Sequence, residues 1–135
     1  MAYLSLLLTA GLLILVICWI VFPYKVIEFN DGDFRVNTKQ LYQGEYLSYD
    51  VSYCKYTEAL ASTTISFVDG IIYTIPKDPQ AFYEIGCHTK TILLYIPKAL
   101  PAGKYYLDHV FTFQVNPIRE VRVEAKTEMF EVIEN

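Results

Sequence analysis

Charged side chains are missing from the first 24 residues of the chain, and histidine is absent there as well. The first charge is Lys25, and the segment from Leu4 to Phe22 consists mainly of Leu, Ile, Val and Ala. A helix needs about 20 apolar residues to cross the hydrocarbon core of a bilayer, so this segment is long enough. Trp19 and Tyr24 would lie at the membrane–water interface, which favours amphipathic rings, and Pro23 would end the helix. The absence of charge therefore predicts a transmembrane helix.

The signals of a cleaved secretory peptide are also lacking. Such a peptide has a basic start, an apolar core of about 7–15 residues and small residues around its cleavage site. This chain begins Met-Ala-Tyr, its apolar run is longer, and bulky residues follow from Trp19 to Tyr24. A buried core helix is the less favoured alternative, because a chain of 135 residues has little room to cover a segment that is apolar on every side. We therefore expect residues 1–24 to be an uncleaved signal-anchor that contacts membrane lipid.

A surplus of basic residues is absent from the rest of the chain. All 11 basic and all 15 acidic residues lie in residues 25–135, which carry the whole net charge of −4. Nucleic acid and anionic lipid headgroups both require a basic surface, so neither is an expected partner of this region. Its length suits a single domain, and no internal repeat divides it.

Helical periodicity is not found after the apolar segment, where apolar and polar residues alternate as in half-buried strands. The clearest alternation is Tyr105–Val115, and Asp69-Gly70 between two apolar runs predicts a hairpin. The alternation of apolar residues shifts by one position within Lys126–Met129, which predicts a β-bulge. The expected strands are 26–29 or 34–36, 47–53, 65–67, 71–75, 92–96, 105–115 and 121–132. About seven short strands in one domain indicate an all-β, two-layer antiparallel sandwich.

One short motif resembles part of a known fold family. The sequence Leu100-Pro101-Ala102-Gly103-Lys104-Tyr105 precedes the best alternating strand, and Asn116-Pro117 follows it. This arrangement resembles the tyrosine corner of immunoglobulin-like and fibronectin-III-like domains. In that corner, a Tyr at the start of the penultimate strand hydrogen-bonds back to the preceding turn.

The resemblance implies an Ig-like antiparallel sandwich over residues 25–135. It also implies structural roles for Tyr105, Gly103 and Leu100 in the corner. The chain departs from antibody domains at Leu107, where those domains have a Cys, and it has no Trp outside the N-terminal segment. The resemblance is therefore one of architecture and indicates no particular activity.

Cysteine is scarce, with three in the whole chain. Cys18 lies in the apolar segment, where a thiol behaves as a small apolar group. Cys54 ends one expected strand and Cys87 precedes another, so a disulfide between them would fix the long irregular segment Pro76 to Gly86. Two reduced thiols are an alternative. A metal site that adds His88 and His109 is another, although no Cys-x-x-Cys or His-x-x-x-His spacing supports zinc.

The expected disulfide also predicts the compartment. Disulfides persist outside the cytosol, so the domain would be periplasmic or extracellular. Lys25 and Arg35 follow the apolar segment and favour the opposite orientation, because basic residues prefer the cytoplasmic side. We give the disulfide more weight, since Glu28, Asp31 and Asp33 lie among these two bases. No Asn-x-Ser/Thr sequon occurs, which suits a bacterial or phage protein.

Motifs for catalysis, cofactor binding and metal binding are not found. Asn30-Asp31-Gly32-Asp33 lacks the later ligands of a calcium loop and is better explained as a turn. His109 lies on the apolar side of its strand, which is typical of a core histidine. Ser62 has no identifiable base, and no Gly-x-Ser-x-Gly or glycine-rich phosphate loop occurs. We expect no catalytic residue, cofactor or metal.

Tyrosine, in contrast, is abundant, with 12 in the chain. Tyr is favoured in protein contact surfaces but also in ordinary strands, so both explanations remain open. Tyr42 and Tyr83 are the main candidates for a contact surface, because they fall at expected loop positions. Further tyrosines at expected exposed positions are Tyr46, Tyr56 and Tyr106.

These observations predict a non-catalytic, membrane-tethered interaction or structural module at a cell or virion envelope. A bacterial or phage protein is a natural example. An accessory subunit of a larger membrane complex is the alternative, and a small envelope enzyme is the third hypothesis. The expected partners are membrane lipid, through residues 1–24, and another protein whose identity the sequence does not indicate.

Overall fold

The computed structural model describes residues 2–59, 61–76 and 84–135. Helix α1 (Ala2–Val21) comes first, and the remaining regular structure consists of strands. The strands are β1 (Ile27–Glu28), β2 (Phe34–Val36), β3 (Gln40–Tyr42), β4 (Tyr46–Lys55), β5 (Ala61–Asp69), β6 (Ile71–Pro76), β7 (Gly86–Tyr95), β8 (Gly103–Asn116), β9 (Arg119–Lys126) and β10 (Phe130–Ile133). The expected number of about seven was too low. The alternating sequence pattern predicts β1 or β2 but not both, and it gives no sign of the short β3. It also predicts one strand where the structure has β9 and β10.

Helix α1 covers most of the uncharged apolar segment. Its last backbone hydrogen bond runs from the Phe22 N–H to the Cys18 carbonyl at 3.0 Å, and Pro23 cannot extend the ladder because it has no N–H. The part Tyr3–Val21 is long and apolar enough to cross a membrane, and none of it is buried against the described protein. An apolar N-terminal helix is thus present, as predicted.

The smaller sheet is built around β4. Along one edge β4 pairs with β1 and β2, and along the other it pairs with β7, always antiparallel. The β4–β7 ladder runs from Tyr46 opposite Tyr95 to Lys55 opposite Gly86. Among the described residues β7 pairs only with β4, so its second edge is open in this part of the chain.

The larger sheet has the strand order β3–β10–β8–β5–β6, and β9 also pairs with β8. The predicted hairpin is confirmed: β5 and β6 are antiparallel on either side of Gly70. Gly70 has a φ of +65°, a conformation that glycine adopts without steric cost.

One strand pair departs from the predicted antiparallel arrangement. β3 and β10 run parallel, with Leu41 opposite Val132. The reason is that β3 follows β2 after the short connection 37–39 and keeps the same direction while it passes from the smaller to the larger sheet. A strand that does not turn back meets β10 in parallel.

The predicted β-bulge is confirmed between β9 and β10. Asp108 lies opposite Lys126, whereas Tyr105 lies opposite Phe130, so one extra residue is present on the β9–β10 side. Thr127 occupies the irregular position and is buried. Its side-chain oxygen accepts a hydrogen bond from the Leu107 N–H at 2.9 Å, which restores a partner to that buried donor.

Side chains from both sheets meet in one buried cluster. Its fully buried members include Leu47, Tyr49 and Val51 from β4, Phe67 from β5, Ile96, and Tyr105, Leu107, Phe111 and Phe113 from β8. His109 of β8 also faces this core, where its Nε2 lies 2.9 Å from the hydroxyl of Tyr49 in β4. This bond joins the two sheets. The chain after α1 is therefore a mostly β structure of two layers around a common core.

Candidate functional site

The two ends of the β structure differ in what they contact. One end, called here the proximal end, carries Lys55, Gly86 and the β8–β9 turn, and it lies next to the last turn of α1. The other, called the distal end, carries Tyr46, Tyr95 and the β5–β6 turn.

The β8–β9 turn holds the C-terminal end of α1. Asn116 Nδ2 donates to the Trp19 carbonyl at 3.1 Å and lies 3.3 Å from the hydroxyl of Tyr24. Arg119 donates to the carbonyls of Ile20 and Phe22 at 2.8 and 2.6 Å. These contacts define the junction between helix and β structure.

Three physical effects favour this junction. The last carbonyls of any helix have no partner within the helix, and such groups are costly where water is excluded; Asn116 and Arg119 supply donors for them. A cation near the helix C-terminus also interacts favourably with the helix dipole. In addition, the guanidinium carbon of Arg119 lies 5.5 Å from the centre of the Tyr24 ring, which is within the range of a cation–π contact.

A polar network lies beside the junction. Glu28 accepts a hydrogen bond from Tyr56 at 2.7 Å and forms an ion pair with Lys25 at 2.8 Å. The hydrogen bond from Lys25 lowers the pKa of Glu28, and the same contact raises the pKa of Lys25. Since these groups are exposed to water, the pair contributes little to stability. Lys55 is buried nearby, and burial lowers its pKa.

The predicted disulfide is confirmed. Cys54 and Cys87 are bonded at an S–S distance of 2.02 Å, and they lie directly opposite each other in the β4–β7 ladder. Both side chains point to the outward face of the smaller sheet, because the alternate residues of β4 are buried. The bond therefore joins two neighbouring strands of one sheet. It does not connect the two layers as an antibody disulfide does.

The alternative metal set is not assembled. Cys54 and Cys87 are bonded to each other, His88 Nε2 lies 2.9 Å from the Ile85 carbonyl, and His109 lies in the core beside Tyr49. Within residues 2–59, 61–76 and 84–135, no group of three His, Cys, Asp or Glu residues is placed to hold a metal ion. Asn30–Asp33 forms a turn in which the Asn30 N–H donates to the Asp33 carboxylate.

An exposed aromatic surface lies at the distal end of the smaller sheet. Tyr46 and Tyr95 face each other across β4 and β7 with ring centres 5.4 Å apart, and their exposed fractions are 65% and 42%. Leu93, on the same face of β7, is 66% exposed. We call Tyr46, Leu93 and Tyr95 the aromatic surface. It adjoins the β7 edge that is open among the described residues.

The sequence-predicted contact residues have different outcomes. Tyr42 is 47% exposed at the end of β3, whereas Tyr83 lies outside the described residues. Leu93 and Tyr95 are not among the sequence-predicted candidates, because the alternation assigns Ile92 and Leu94 to the strand and gives no role to their neighbours. The sequence does contain a signal for this surface. Residues 92–96 are apolar at every position, so apolar side chains point outward whichever face of the strand is buried.

The corner residues lie at the distal end as well. Tyr105 is buried, and its hydroxyl donates to the Pro101 carbonyl at 2.8 Å. Leu100 is buried beside it. At Gly103 a Cβ atom would lie only 2.7 Å from the Asp69 carboxylate, so a larger residue would displace that side chain. Burial is the main cause that raises the pKa of Tyr105.

Several clefts open on the described surface. One, of about 360 Å³, lies between the β1–β2 turn and β9, and it is lined by Phe29, Asn30, Asp31, Gly32, Phe34, Glu124, Ala125 and Lys126. Another, of about 240 Å³, adjoins the disulfide. The cleft beside the disulfide includes Asp33, Ser52 and His88 in its lining. Ser52 Oγ lies 2.9 Å from Thr89 Oγ1, and His88 Nε2 lies 2.9 Å from the Ile85 carbonyl. The hydroxyl and the imidazole are therefore each engaged with another group, and not with each other as nucleophilic catalysis needs.

Comparison with known proteins adds no relative. No protein-family model matches the chain, and no curated protein sequence matches it.

Proposed function

We propose that the chain is a single-pass membrane protein that acts by contact, without catalysis, through an Ig-like β domain. Helix α1 is the uncleaved anchor in this proposal, and residues 25–135 form the contact domain. The observation that carries it is the position of the aromatic surface. Tyr46, Leu93 and Tyr95 lie at the end of the domain opposite the anchor, where a partner can reach them.

The strand order supports the Ig-like part of the proposal. In the smaller sheet β4 pairs with β7, as strands B and E do in an Ig-like domain. The larger sheet contains β6, β5, β8 and β9–β10, which correspond to strands C′, C, F and G. The bond from Tyr105 to the Pro101 carbonyl is the type that a tyrosine corner makes. The within-sheet disulfide is the departure from antibody domains.

The composition of the aromatic surface supports a protein partner. Exposed tyrosines provide large contact areas with few rotatable bonds, and aromatic residues are enriched among those whose truncation weakens binding most. The exposed disulfide supports a non-reducing compartment for this surface, which is the periplasm or the cell exterior in our proposal. A partner at a cell or virion envelope, bacterial or phage, fits this location.

An accessory subunit of a membrane complex is the second candidate. It is favoured by α1, whose span Tyr3–Val21 is not buried by the described residues and can therefore contact partner helices as well as lipid. In this case the helix would supply the specificity. In the first case it serves only to hold the domain at the membrane.

One experiment separates the two candidates. Full-length protein is purified with its partners from detergent-solubilised native membranes. The double variant Tyr46→Ala/Tyr95→Ala should lose about 30-fold or more in partner affinity, because truncating an aromatic contact residue costs ~2 kcal/mol or more. Tyr56→Ala, an exposed tyrosine at the proximal end, is the matched control and should bind as the wild type does.

A second variant tests the role of the helix. Replacing α1 by an unrelated transmembrane helix should leave partner binding intact if the aromatic surface carries it. Loss of binding in the helix replacement, with unchanged binding in Tyr46→Ala/Tyr95→Ala, would overturn the contact-module proposal and favour the accessory subunit.

A further inference from the structure

The β8–β9 turn exposes an apolar side chain next to the membrane helix. The turn consists of Pro117 and Ile118 between β8 and β9, and the side chain of Ile118 is 55% exposed. The Ile118 N–H donates to Asn116 Oδ1 at 3.1 Å. The same Asn116 side chain donates through Nδ2 to α1, so one residue shapes the turn and attaches it to the helix.

The contacts of the turn determine its level along the helix. Asn116 and Arg119, on either side of the turn, bind the carbonyls of Trp19, Ile20 and Phe22. These carbonyls belong to the last turn of the span Tyr3–Val21 and to the residue after it. If α1 crosses a bilayer, this last turn lies at the membrane interface, and the β8–β9 turn lies there with it.

The surrounding residue types suit that level. Trp19 and Tyr24 have amphipathic rings of the kind that concentrate at membrane interfaces. Arg119 keeps its guanidinium near Tyr24 and the end of the helix, where a long basic side chain can reach the headgroups. An isoleucine exposed at this depth gains free energy by leaving water for the acyl-chain boundary, because apolar burial is favourable in proportion to area.

We propose that the β8–β9 turn is a second membrane contact, in which Ile118 enters the bilayer interface beside α1. This inference depends on the proposed anchor role of α1. The occupant of the exposed turn is lipid, since the turn is attached to the one described segment that is apolar enough to span a membrane. The domain then has two attachments, and its tilt relative to the bilayer is restricted.

Fluorescence depth measurement tests the proposal on the full-length chain. Cys18→Ser removes the free thiol, and the disulfide is kept oxidised while a single cysteine is labelled with an environment-sensitive nitrobenzoxadiazole dye. The positions are Ile118→Cys, Leu13→Cys within the span, and Ile72→Cys, an isoleucine exposed to 66% near the distal end. Each protein is reconstituted in phosphatidylcholine vesicles with or without nitroxide-labelled lipid.

We expect the label at position 118 to be blue-shifted and quenched by nitroxide near the top of the acyl chain. The label at position 13 should be quenched by nitroxide deep in the chain, and the label at position 72 should remain unquenched. Position 118 behaving like position 72, with position 13 quenched, would overturn the proposal and leave the anchor intact. A blue shift at 118 without quenching would also overturn it, since protein and not lipid would then cover the turn. An unquenched label at position 13 would contradict the proposed anchor role of α1.

A second variant tests the attachment. Asn116→Ala/Arg119→Met, combined with the label at position 118, removes the side-chain donors to the α1 carbonyls. Quenching at position 118 should fall toward the value at position 72, while quenching at position 13 stays unchanged. Undiminished quenching at 118 would contradict the inferred role of these two residues in holding the turn at the membrane.

Discussion

Tyr105 combines a buried ring with a single polar contact, and its hydroxyl joins β8 to the turn before it. We expect Tyr105→Phe to keep the ring packed and to lower the free energy of unfolding by about 1 kcal/mol, the net contribution of one hydrogen bond. Urea unfolding of the full-length protein in detergent, followed by near-UV circular dichroism, measures the change. Tyr106→Phe is the control, because Tyr106 is only half-buried on the outward face. Equal loss in both variants would contradict a specific role of the bond.

The same residue predicts a pH dependence. Burial raises the pKa of Tyr105 above its ordinary value of 10.0, so the folded state holds this proton more tightly than the unfolded state does. The contribution is fully present below pH 10 and is lost as the pH rises through the higher folded-state pKa. The stability difference between wild type and Tyr105→Phe should therefore shrink in alkaline solution. A difference that grows with pH would contradict this sign.

At the level of strands, the disulfide joins β4 and β7, which are already hydrogen-bonded along their length. Removing it in Cys54→Ala/Cys87→Ala should leave both sheets folded, because the ladder does not depend on the bond. The free energy of unfolding should fall by about 3–4 kcal/mol in the chain-entropy model, since the bond closes a loop with a sequence separation of 33. Urea unfolding measures it, with Cys18→Ala as the neutral control. A variant that unfolds in buffer would show that the bond is needed for the sheet itself.

Helix α1 allows a direct test of membrane insertion. Leu13→Arg places a charge in the middle of the apolar span and should cost roughly 2.5–3.5 kcal/mol of insertion. The protein should leave the carbonate-resistant membrane fraction or be degraded, whereas Leu13→Phe should remain there. Unchanged membrane association of the Arg variant would argue against a helix that spans the bilayer.

On the scale of the whole molecule, the proximal and distal ends lie on one side of the membrane in our proposal. In a Cys18→Ser background, Ile72→Cys should react with a membrane-impermeant thiol reagent in intact cells whose outer barrier, if present, has been opened. Tyr3→Cys, at the start of α1, should react only after lysis. The reverse pattern would place the domain in the cytosol and would leave the exposed disulfide without an oxidising compartment.

The features that the sequence predicted correctly depend on near neighbours. The apolar helix follows from an uncharged run, the β5–β6 hairpin from Asp69-Gly70, and the bulge at Thr127 from a change of alternation. The disulfide was predictable for another reason. Cys54 and Cys87 are the two cysteines outside the apolar segment, so each had a single candidate partner there.

The features that the sequence did not predict depend on which strands become neighbours. Nothing near β3 indicates that it lies parallel to β10, since that pairing joins residues about 90 positions apart, such as Leu41 and Val132. The aromatic surface arises in the same way, because Tyr46 and Tyr95 meet only through the β4–β7 register.

By itself, the sequence determined the apolar N-terminal helix and the mostly β character of the described remainder, and it identified Cys54 and Cys87 as the candidates for a disulfide. Short-range periodicity and composition carry that information. Tertiary structure alone decided that Asn116 and Arg119 bind the end of α1, and that the aromatic surface lies at the opposite end. The physical reason is that helix carbonyls accept a donor from any residue that packing brings within reach. Such contacts leave no periodic signal in the chain.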